Sequence, residues 1–411
     1  MPFSLYFHIP FCLHRCAYCD FNTYAGREAL IPAYVDALCR EIEIVGGSLS
    51  ERVAGDGAHT LFFGGGTPSL LSPRQYEKIF TAIHTHFEVL PEAEISLEAN
   101  PGTVSLDDLG DLRALGFNRI SFGVQSFHPD ELRQLERIHD PFDVFDAVRW
   151  ARRAGFDNLN LDLIYGLPGQ SLDRWSATVK QAVSLAPEHL SLYALTVERG
   201  TPFGRWAARG LLPLPDPDVA AEMYDWAGEY LEGRDYVQYE ISNWAKSVVG
   251  CQSSVVNPSF ACCHNLQVWR NRPYLGFGAG AHGCFEDLRV ANVLSIKSYL
   301  ARLSIPPGVT ADPSASPRWQ PAVSPACVRY HRLSRREAMQ ETMMLGLRLT
   351  REGVSSAEFR ARFGVEMMDV FRDEIQSLLR LGLLEWSSDS LRLTKKARLV
   401  SNQAFLYFVD G

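Results

Sequence analysis

The feature that most constrains the fold is an alternation of short apolar segments and amphipathic segments along the first half of the chain. The apolar segments are rich in β-branched and aromatic residues, as strands are, and the segments between them place apolar residues three or four apart, as helices do. The predicted strands are Ser4–Ile9, Thr60–Phe63, Glu94–Leu97, Arg119–Gly123, Asn158–Ile164 and His189–Tyr193. Six strand–helix units predict a parallel sheet, because parallel neighbours need a crossover connection.

The predicted strands are apolar at nearly every position, as in the run LNLDLIYG at 159–166. Such runs are typical of strands that are covered on both faces of a sheet. Right-handed crossovers would arrange six units as an open barrel or as a doubly wound sheet. In both α/β architectures, ligands are expected at the carboxyl ends of the strands.

The alternation ends near residue 235, where polar and aromatic segments replace it. A Pro- and Ser-rich stretch then predicts a surface loop or linker. Capping boxes at Ser334 and Ser355 begin two helices of a last compact unit, which a third helix and two short strands complete. We predict a βα unit over 1–235, an irregular segment over 236–304, a loop over 305–327 and a winged-helix-like α+β domain over 328–411.

Charge and targeting signals exclude several function classes. The chain has 40 Lys and Arg against 48 Asp and Glu, a net charge of −8, so it has no global attraction for nucleic acid or anionic lipid. Arginines in the last domain alternate with glutamates, which is typical of an ion-paired surface. The amino terminus has no signal-peptide pattern, and the longest uncharged stretch, 247–269, is too polar to span a membrane. We expect a cytoplasmic protein that does not bind nucleic acid.

Three of the nine cysteines form the motif Cys12-x3-Cys16-x2-Cys19 directly after the first predicted strand. In a reducing compartment, clustered cysteines indicate metal binding or catalysis rather than disulfides. Three thiolates at this spacing can hold three irons of a [4Fe–4S] cluster and leave the fourth iron open for chemistry. The alternative is zinc, which generally takes four protein ligands and would need His8 or His14 to complete the set. The motif favours the cluster.

A CxxxCxxC motif after the first of six βα units resembles the radical S-adenosylmethionine (SAM) superfamily. In that superfamily the open iron chelates the amino and carboxylate groups of SAM, and the cluster reduces the sulfonium to release a 5′-deoxyadenosyl radical. The resemblance implies a partial (βα)6 radical-SAM barrel over 1–235. It also implies a [4Fe–4S] cluster and SAM as cofactors.

Polar residues at the carboxyl ends of the other predicted strands suit a SAM site. The GGGTP loop after the second strand exposes backbone N–H groups, and carboxylate, amide and guanidinium groups end or follow the next strands. Taken singly, each of these is more simply a satisfied core or surface residue. The resemblance assigns the cluster and SAM contacts to Tyr6, Cys12, Cys16, Cys19, Gly65, Gly66, Thr67, Glu98, Gln125, Arg137 and Asp162, with Ala194 as a further candidate.

Longer motifs resemble one branch of the superfamily, the coproporphyrinogen-dehydrogenase-like proteins. They include YFHIPFC, FGGGTPS, EANPGT, NLDLIYGLPGQ and YEISNWA, and they extend to GAGAHG near residue 283. The dehydrogenases of this branch carry a fourth cysteine where this chain has Phe21. The run CAYCDFNTY instead resembles the HemW-type haem chaperones. Those proteins have a His-Asn-x-x-Tyr-Trp element associated with haem, whose place is taken here by HNLQVW at 264–269.

The resemblance makes His264 the candidate haem ligand. An imidazole can be an axial ligand of haem iron, and Trp269 and Tyr274 offer apolar faces for a porphyrin. The simpler alternative is a buried histidine that donates to a backbone carbonyl. Both readings stay open at the level of the sequence.

Two departures from the family pattern bear on this element. Val268 replaces the expected tyrosine, and Ser247–Ala261 looks like an insertion. The insertion places Cys251 ahead of Cys262 and Cys263, so a thiolate haem ligand or an adventitious metal site is a further alternative. Buried or loop thiols are the simplest interpretation of these cysteines.

Two functions follow from the resemblance. The first is a haem chaperone that binds haem and a [4Fe–4S] cluster with exchangeable SAM, and transfers the haem to an acceptor protein. The second is an oxygen-independent coproporphyrinogen III dehydrogenase that oxidatively decarboxylates two propionates. Whether the chain is an enzyme stays open, and no catalytic residue is assigned. The implied partners are a haem acceptor, with a transiently bound membrane protein as one candidate, an electron donor and a second copy in a homodimer.

Overall fold

The computed structural model describes residues 2–50, 52–53, 55–247, 259–304 and 322–409. Cys251, most of the predicted insertion and residues 305–321 of the predicted loop lie outside these ranges. No helix in the described ranges is long and apolar enough to cross a bilayer.

The strands and helices follow the predicted order. The strands are β1 (Phe3–Ile9), β2 (Phe11–Cys12), β3 (Tyr24–Ala25), β4 (Ala58–Gly65), β5 (Val89–Ala99), β6 (Arg119–Gln125), β7 (Leu159–Tyr165), β8 (His189–Ala194), β9 (Tyr236–Glu240), β10 (Asn243–Lys246), β11 (Tyr274–Phe277), β12 (His282–Phe285), β13 (Leu288–Asn292), β14 (Cys327–Arg332), β15 (Val354–Ser355), β16 (Leu384–Ser387) and β17 (Ser390–Leu393). The α-helices are α1 (Ile31–Leu49), α2 (Pro73–His86), α3 (Leu106–Ala114), α4 (Pro129–Gln134), α5 (Pro141–Arg153), α6 (Leu172–Ser184), α7 (Pro202–Ala208), α8 (Pro217–Glu232), α9 (Cys263–Trp269), α10 (Ile296–Leu303), α11 (Arg335–Gly346), α12 (Ser356–Phe363), α13 (Met367–Val370), α14 (Arg372–Arg380) and α15 (Ser401–Leu406).

One large sheet organises the barrel. Its strand order in the described residues is β14-β13-β12-β11-β1-β4-β5-β6-β7-β8-β10-β9. Strands β1, β4, β5, β6, β7 and β8 pair in parallel, which confirms the predicted six-unit α/β fold. Each predicted strand overlaps an observed one, because these strands are covered on both faces and therefore are apolar along their length.

In the described parts of this segment, 236–247 and 259–304, strands and helices occur where the sequence predicts an irregular segment. β11 pairs in parallel with β1, and the antiparallel strands β12, β13 and β14 extend the sheet beyond it. The helix α9 precedes β11 and contacts β4 and β1. These strands are short and carry polar residues, so they give no clear periodic signal. The strands β11 to β14 therefore form a further surface next to the six parallel strands of the barrel.

A continuous apolar core lies between the sheet and its helices. Phe7, Phe63 and Phe277 stack across β1, β4 and β11, with ring centroids 4.5 and 5.3 Å apart. Buried residues of α1 and α2 cover this row. The aromatic row holds the extension β11 against the barrel strands, because offset-stacked rings add to the burial of their area.

A buried carboxylate also joins the extension to the barrel. Glu41 on α1 is 1% exposed. It accepts hydrogen bonds from Gly278 N at 2.7 Å, Asn292 Nδ2 at 2.7 Å, Tyr299 Oη at 2.7 Å and Ser324 Oγ at 2.6 Å. Burial raises the pKa of Glu41, and these donors oppose that rise. Four separate segments therefore meet on one side chain.

The last domain has its own core, with Met343, Phe371 and Leu391 fully buried in it. The helices α11, α12 and α14 and the hairpin β16–β17 follow the predicted order, and the winged-helix likeness stays a prediction. β14 pairs with β13, so residues 327–332 belong to the large sheet rather than to this domain.

Ion pairs attach the last domain to the segment around α9. Arg270 donates to both carboxylate oxygens of Glu352, at 2.9 and 2.7 Å. Arg348 donates to the buried Glu240 at 3.2 Å and lies over the Trp269 ring at 4.2 Å. Bidentate and partly buried pairs fix orientation as well as contributing energy. The domain thus braces the helix that carries the candidate haem ligand.

Candidate functional site

The three motif cysteines line one cavity of about 380 Å³ at the carboxyl ends of the parallel strands. Thr67 Oγ1 donates to Cys12 Sγ at 3.5 Å, and Arg137 Nη1 donates to Cys16 Sγ at 3.4 Å. Cys19 Sγ lies 3.8 Å from the hydroxyl oxygen of Thr23. Burial raises the pKa of Cys12, and the hydrogen bond from Thr67 opposes that rise.

These sulfurs suit a multi-iron cluster. In the part of the chain that the structure describes, no group of three or more His, Cys, Asp or Glu side chains converges on a single metal ion. A four-iron cluster binds each thiolate at a different iron, so its ligands need one shared cavity rather than one point. The donor set and its common cavity fit the group that the motif predicts.

The glycine loop after β4 lies directly against the cysteine segment. Gly66 N donates to Ile9 O at 2.9 Å, and Thr67 N donates to Phe11 O at 2.7 Å. A Cβ atom at Gly66 would lie 2.6 Å from Phe11 O, so only glycine allows this approach. The loop thus contributes backbone to the cavity wall where side chains cannot fit.

Two carboxyl groups line the same cavity, and the pKa of each is raised. Gly65 N donates to Glu98 at 3.0 Å, and burial with the nearby Asp162 raises the pKa of Glu98 to about 7. Burial also raises the pKa of Asp162, which accepts from Ser121 at 2.8 Å and Asn160 at 2.8 Å. Such carboxyl groups can exchange hydrogen bonds with ligand hydroxyls.

A bulge and a buried arginine complete the wall. The pairing of β6 with β7 shifts register between Gly123 and Gln125, and Gln125 has a left-handed φ of 67°. A bulge of this kind re-aims a side chain at a strand end. Arg137 donates to Gly123 O at 2.6 Å and to Asn100 Oδ1, which fixes its guanidinium beside the cysteines.

The structure brings together most of the predicted residues. Those lining the cavity are Cys12, Cys16, Cys19, Gly65, Gly66, Thr67, Glu98, Gln125, Arg137, Asp162 and Ala194. Tyr6 and His264 line an adjoining cavity instead. Asn100, which donates to Thr67 Oγ1 at 2.9 Å, is a wall residue that sequence reasoning missed. Its position inside the EANPGT motif was the available signal.

The adjoining cavity has a volume of about 680 Å³, which is within the range of small-molecule sites. It shares Arg15, Asp20, Phe21 and Glu98 with the cysteine cavity. Its other walls come from β1, β4, α9, β11 and β12 and include Tyr6, Phe62, His264, Tyr274 and His282. Aromatic and imidazole side chains therefore dominate this cavity.

His264 is held firmly in this wall. Its ring stacks on Phe62 with a centroid distance of 4.9 Å, and Nδ1 lies 2.8 Å from Thr60 Oγ1. The Glu94 carboxylate accepts the backbone N–H groups of Cys263 at 2.9 Å and of His264 at 3.2 Å, which fixes the start of α9. Burial lowers the pKa of His264 to about 3, so its imidazole is neutral at pH 7.

A chain of hydroxyl groups sets the tautomer of His264. Thr60 donates its single hydroxyl proton to Ser4 Oγ at 2.6 Å, so its oxygen can only accept from His264. Nδ1 then carries the imidazole proton, and Nε2 keeps its lone pair. The partner is a threonine hydroxyl, not the backbone carbonyl that the simpler sequence interpretation expected.

Other candidates near His264 are placed differently. Trp269 lines a separate cavity and packs against Arg348, whereas Tyr274 lines the cavity of His264. Burial raises the pKa of Cys262 far above its ordinary value and that of Cys263 to about 12. Both groups are thiols at neutral pH, which disfavours the thiolate alternative.

Comparisons with known proteins identify relatives of this chain. A sequence model of the Radical SAM superfamily matches residues 6–182, and one of the HemN C-terminal domain matches residues 333–400. The chain is 36% identical to "Heme chaperone HemW" of Bacillus subtilis over 99% of both chains. It is 35% identical to the protein of that name from Mycobacterium tuberculosis H37Rv, over 98% of this chain and 93% of the relative.

A solved structure has the same architecture. It is the coproporphyrinogen III oxidase HemN from Escherichia coli, described as a radical SAM enzyme. The match has a TM-score of 0.78 and 25% sequence identity, over 99% of this chain and 90% of the solved chain. The sequence model and the solved structure therefore agree on a radical SAM fold.

Proposed function

Because the chain belongs to the HemW family within the radical SAM superfamily, we propose that it is a haem chaperone that binds haem and hands it to an acceptor protein. The observation that carries the proposal is the pair of cavities that share a wall. One cavity holds the cluster cysteines, and the other holds a neutral histidine with an open nitrogen. Neither cavity contains both features, so the proposed function needs the two cavities together.

Membership in the superfamily implies a [4Fe–4S] cluster and SAM. In the proposal, Cys12, Cys16 and Cys19 bind three irons, and the fourth iron holds SAM exchangeably. The bound pair supplies a reducible sulfonium next to an electron donor. The carboxyl groups of Glu98 and Asp162 are positioned for ribose hydroxyls by the bonds described above.

Arg137 is the residue best placed for the carboxylate of SAM. It lies beside Cys16, and one backbone oxygen and one side-chain oxygen orient its guanidinium. A fixed guanidinium binds a carboxylate with directional hydrogen bonds. The N–H groups of Gly65, Gly66 and Thr67 are bonded within the chain. The carbonyls of the glycine loop are the groups that can accept from the amino end of the ligand.

On the haem side, the proposal assigns the axial ligand to His264. The Thr60 hydroxyl holds Nδ1–H, so Nε2 is the nitrogen that can bind iron. Tyr6, Phe62 and Tyr274 supply flat apolar surface in the same cavity, which a porphyrin needs. The proposal further includes an acceptor protein for the haem, an electron donor, a homodimer and a cytoplasmic location.

The dehydrogenase function is not favoured. The relatives reported above carry the chaperone name, and the position of the dehydrogenase's additional cysteine is Phe21, which is 68% exposed at the cavity mouth. A phenylalanine cannot ligate iron or transfer a proton there. The two functions differ in what happens to a porphyrinogen.

One comparison tests the proposal. The full chain is purified without oxygen, its cluster is rebuilt, and it is titrated with ferric haem. In parallel it is incubated with coproporphyrinogen III, SAM and a strong reductant. We expect stoichiometric haem binding with a shifted Soret band and no porphyrinogen consumption. Robust turnover would contradict the chaperone function, and absence of both activities would contradict both functions.

A further inference from the structure

A second histidine lines the candidate haem cavity. His282 begins β12, is exposed, and lines both this cavity and a neighbouring one of about 520 Å³. Within the described ranges its imidazole makes no hydrogen bond or ion pair. It is therefore an open donor at the edge of the cavity.

Strand register places His282 in a row with the surface that supports His264. Phe62 on β4 pairs with Tyr6 on β1, and Tyr6 pairs with Gly276 on β11. The antiparallel register of β11 with β12, fixed by Tyr274 and Cys284, puts Gly276 opposite His282. Paired residues on neighbouring strands point to the same face, so this row forms the cavity floor.

Gly276 lies between Tyr6 and His282 in that row, and the His282 backbone passes directly against it. A Cβ atom at Gly276 would lie 2.0 Å from His282 O, so a side chain is excluded there. At the other end, the His264 ring lies 4.9 Å from the Phe62 ring and 6.2 Å from the Tyr6 ring. Both imidazoles line the same cavity of about 680 Å³, His264 next to Phe62 and Tyr6 and His282 at the start of β12.

We propose that His282 is a second axial ligand of haem iron, opposite His264, and the ligand that is exchanged during transfer. This inference rests on the proposed haem-binding function. Haem would lie in the cavity that both histidines line, with one nitrogen ligand on each face of the porphyrin. His264 is 6% exposed and fixed by Thr60 and Glu94, whereas His282 is exposed.

The unequal burial determines the order of ligand exchange. The iron–nitrogen bond to His282 breaks, and a lone pair from the acceptor's ligand forms the new bond on the same face. His282 leaves as a neutral imidazole, and the oxidation state of iron does not change. The buried ligand then keeps the haem in place until the acceptor holds it.

Spectroscopy of ferric haem bound to the full chain tests this inference. We expect the wild type to be six-coordinate and low-spin by absorption and electron paramagnetic resonance. His282→Ala should bind haem but become high-spin, and added imidazole should restore the low-spin spectrum. His282→Met should stay six-coordinate with the near-infrared band of methionine ligation. His84→Ala, at an exposed position on α2, is the matched control and should leave the spectrum unchanged.

The outcomes separate this inference from the proposed function. His264→Ala should lower haem affinity at least tenfold, because the fixed ligand is lost. A low-spin His282→Ala complex, or a high-spin wild type, overturns the role of His282 and leaves haem binding intact. A wild type that binds no haem contradicts the proposed function itself. Circular dichroism of each variant shows that the chain is folded.

Discussion

Single side chains in the two cavities owe their chemistry to burial and to one or two hydrogen bonds. His264 is neutral because it is buried, and its reactive nitrogen is chosen by Thr60. Glu98 holds its proton up to about pH 7 because burial and Asp162 disfavour its charge. Neither property can be deduced from the residue type, since an exposed histidine titrates near about pH 6.5 and an exposed glutamate near about pH 4.3.

The cluster assignment predicts a complete loss with one substitution. Cys16→Ala leaves two thiolates in the cavity, and the site loses one of the three protein ligands that the open-iron arrangement requires. We expect the visible absorption and the four-iron content to disappear after reconstitution without oxygen. Cys39→Ala on α1 is the control. A Cys16 variant with four irons would show that the assignment of the open iron is wrong.

The tautomer argument predicts an effect of Thr60 on haem binding. Thr60→Val keeps the shape but removes the acceptor for Nδ1–H, so His264 loses the bond that directs its lone pair to the cavity. We expect haem affinity to fall about 10- to 100-fold, as for other partners of metal-binding histidines. Thr60→Ser should restore most of it. Nitrogen-15 NMR of the imidazole should detect the tautomer change, and equal affinities in all three proteins would contradict the argument.

The raised pKa of Glu98 predicts a pH dependence of the metal-free protein. The carboxyl pKa is about 7 in the folded chain and 4.5 ordinarily. The stabilisation is therefore full below about pH 4.5 and is lost as the pH rises through 7. Glu98→Gln removes this titration, so its free energy of unfolding in urea should fall less between pH 5 and pH 8. Parallel pH curves for the two proteins would refute the shift.

At the scale of elements, the central strands could be predicted from sequence and the extension could not. β7 is a nearly unbroken apolar run, whereas β11 and β12 are four-residue strands that contain glycines. The cysteine motif was predictable because cluster chemistry fixes its spacing. The position of His282 was not, since it depends on which strand becomes the neighbour of β11.

The buried Glu41 is an element-scale feature that the helix pattern hides. It was not singled out because glutamate in a surface helix is ordinarily solvated. Glu41→Ala would leave donors from four segments unsatisfied, each costing about 1–3 kcal/mol if it stays buried. We expect a loss of at least about 3 kcal/mol in the free energy of unfolding.

The control for Glu41 is its exposed neighbour on the same helix. Glu43 pairs with Arg40 three residues away, and the Glu43 side chain is 51% exposed. Such pairs contribute little because water and salt screen them. Glu43→Ala should change the free energy of unfolding by less than about 0.5 kcal/mol. Similar effects of both substitutions would mean that Glu41 does not join the segments.

At the scale of the whole molecule, the last domain packs on the side of the barrel that carries the candidate haem cavity. Its contacts run to Arg270, directly after α9, and to Glu240 at the end of β9. Residues 333–400 of this domain match the model of the HemN C-terminal domain. The domain therefore has a defined place against the cavity wall rather than a free tether.

A double-mutant cycle measures this attachment. Arg270 and Glu352 are 27% and 19% exposed and form two hydrogen bonds. We expect a coupling energy of about 1 kcal/mol or more in urea unfolding, because the pair is bidentate and partly desolvated. The pair Arg360 and Glu366, 64% and 43% exposed, should couple by less than about 0.5 kcal/mol. Zero coupling at Arg270 would mean that the domain is held by other contacts.

The wall between the two cavities imposes a thermodynamic symmetry. Arg15, Asp20, Phe21 and Glu98 touch both spaces, so an occupant of one changes the surroundings of the other. In the proposed function, bound SAM changes the haem dissociation constant by some factor. Bound haem must then change the SAM dissociation constant by the same factor, because the two orders of binding end in the same ternary state. The binding of the proposed cofactor SAM and the loading of haem are thus coupled in one equilibrium.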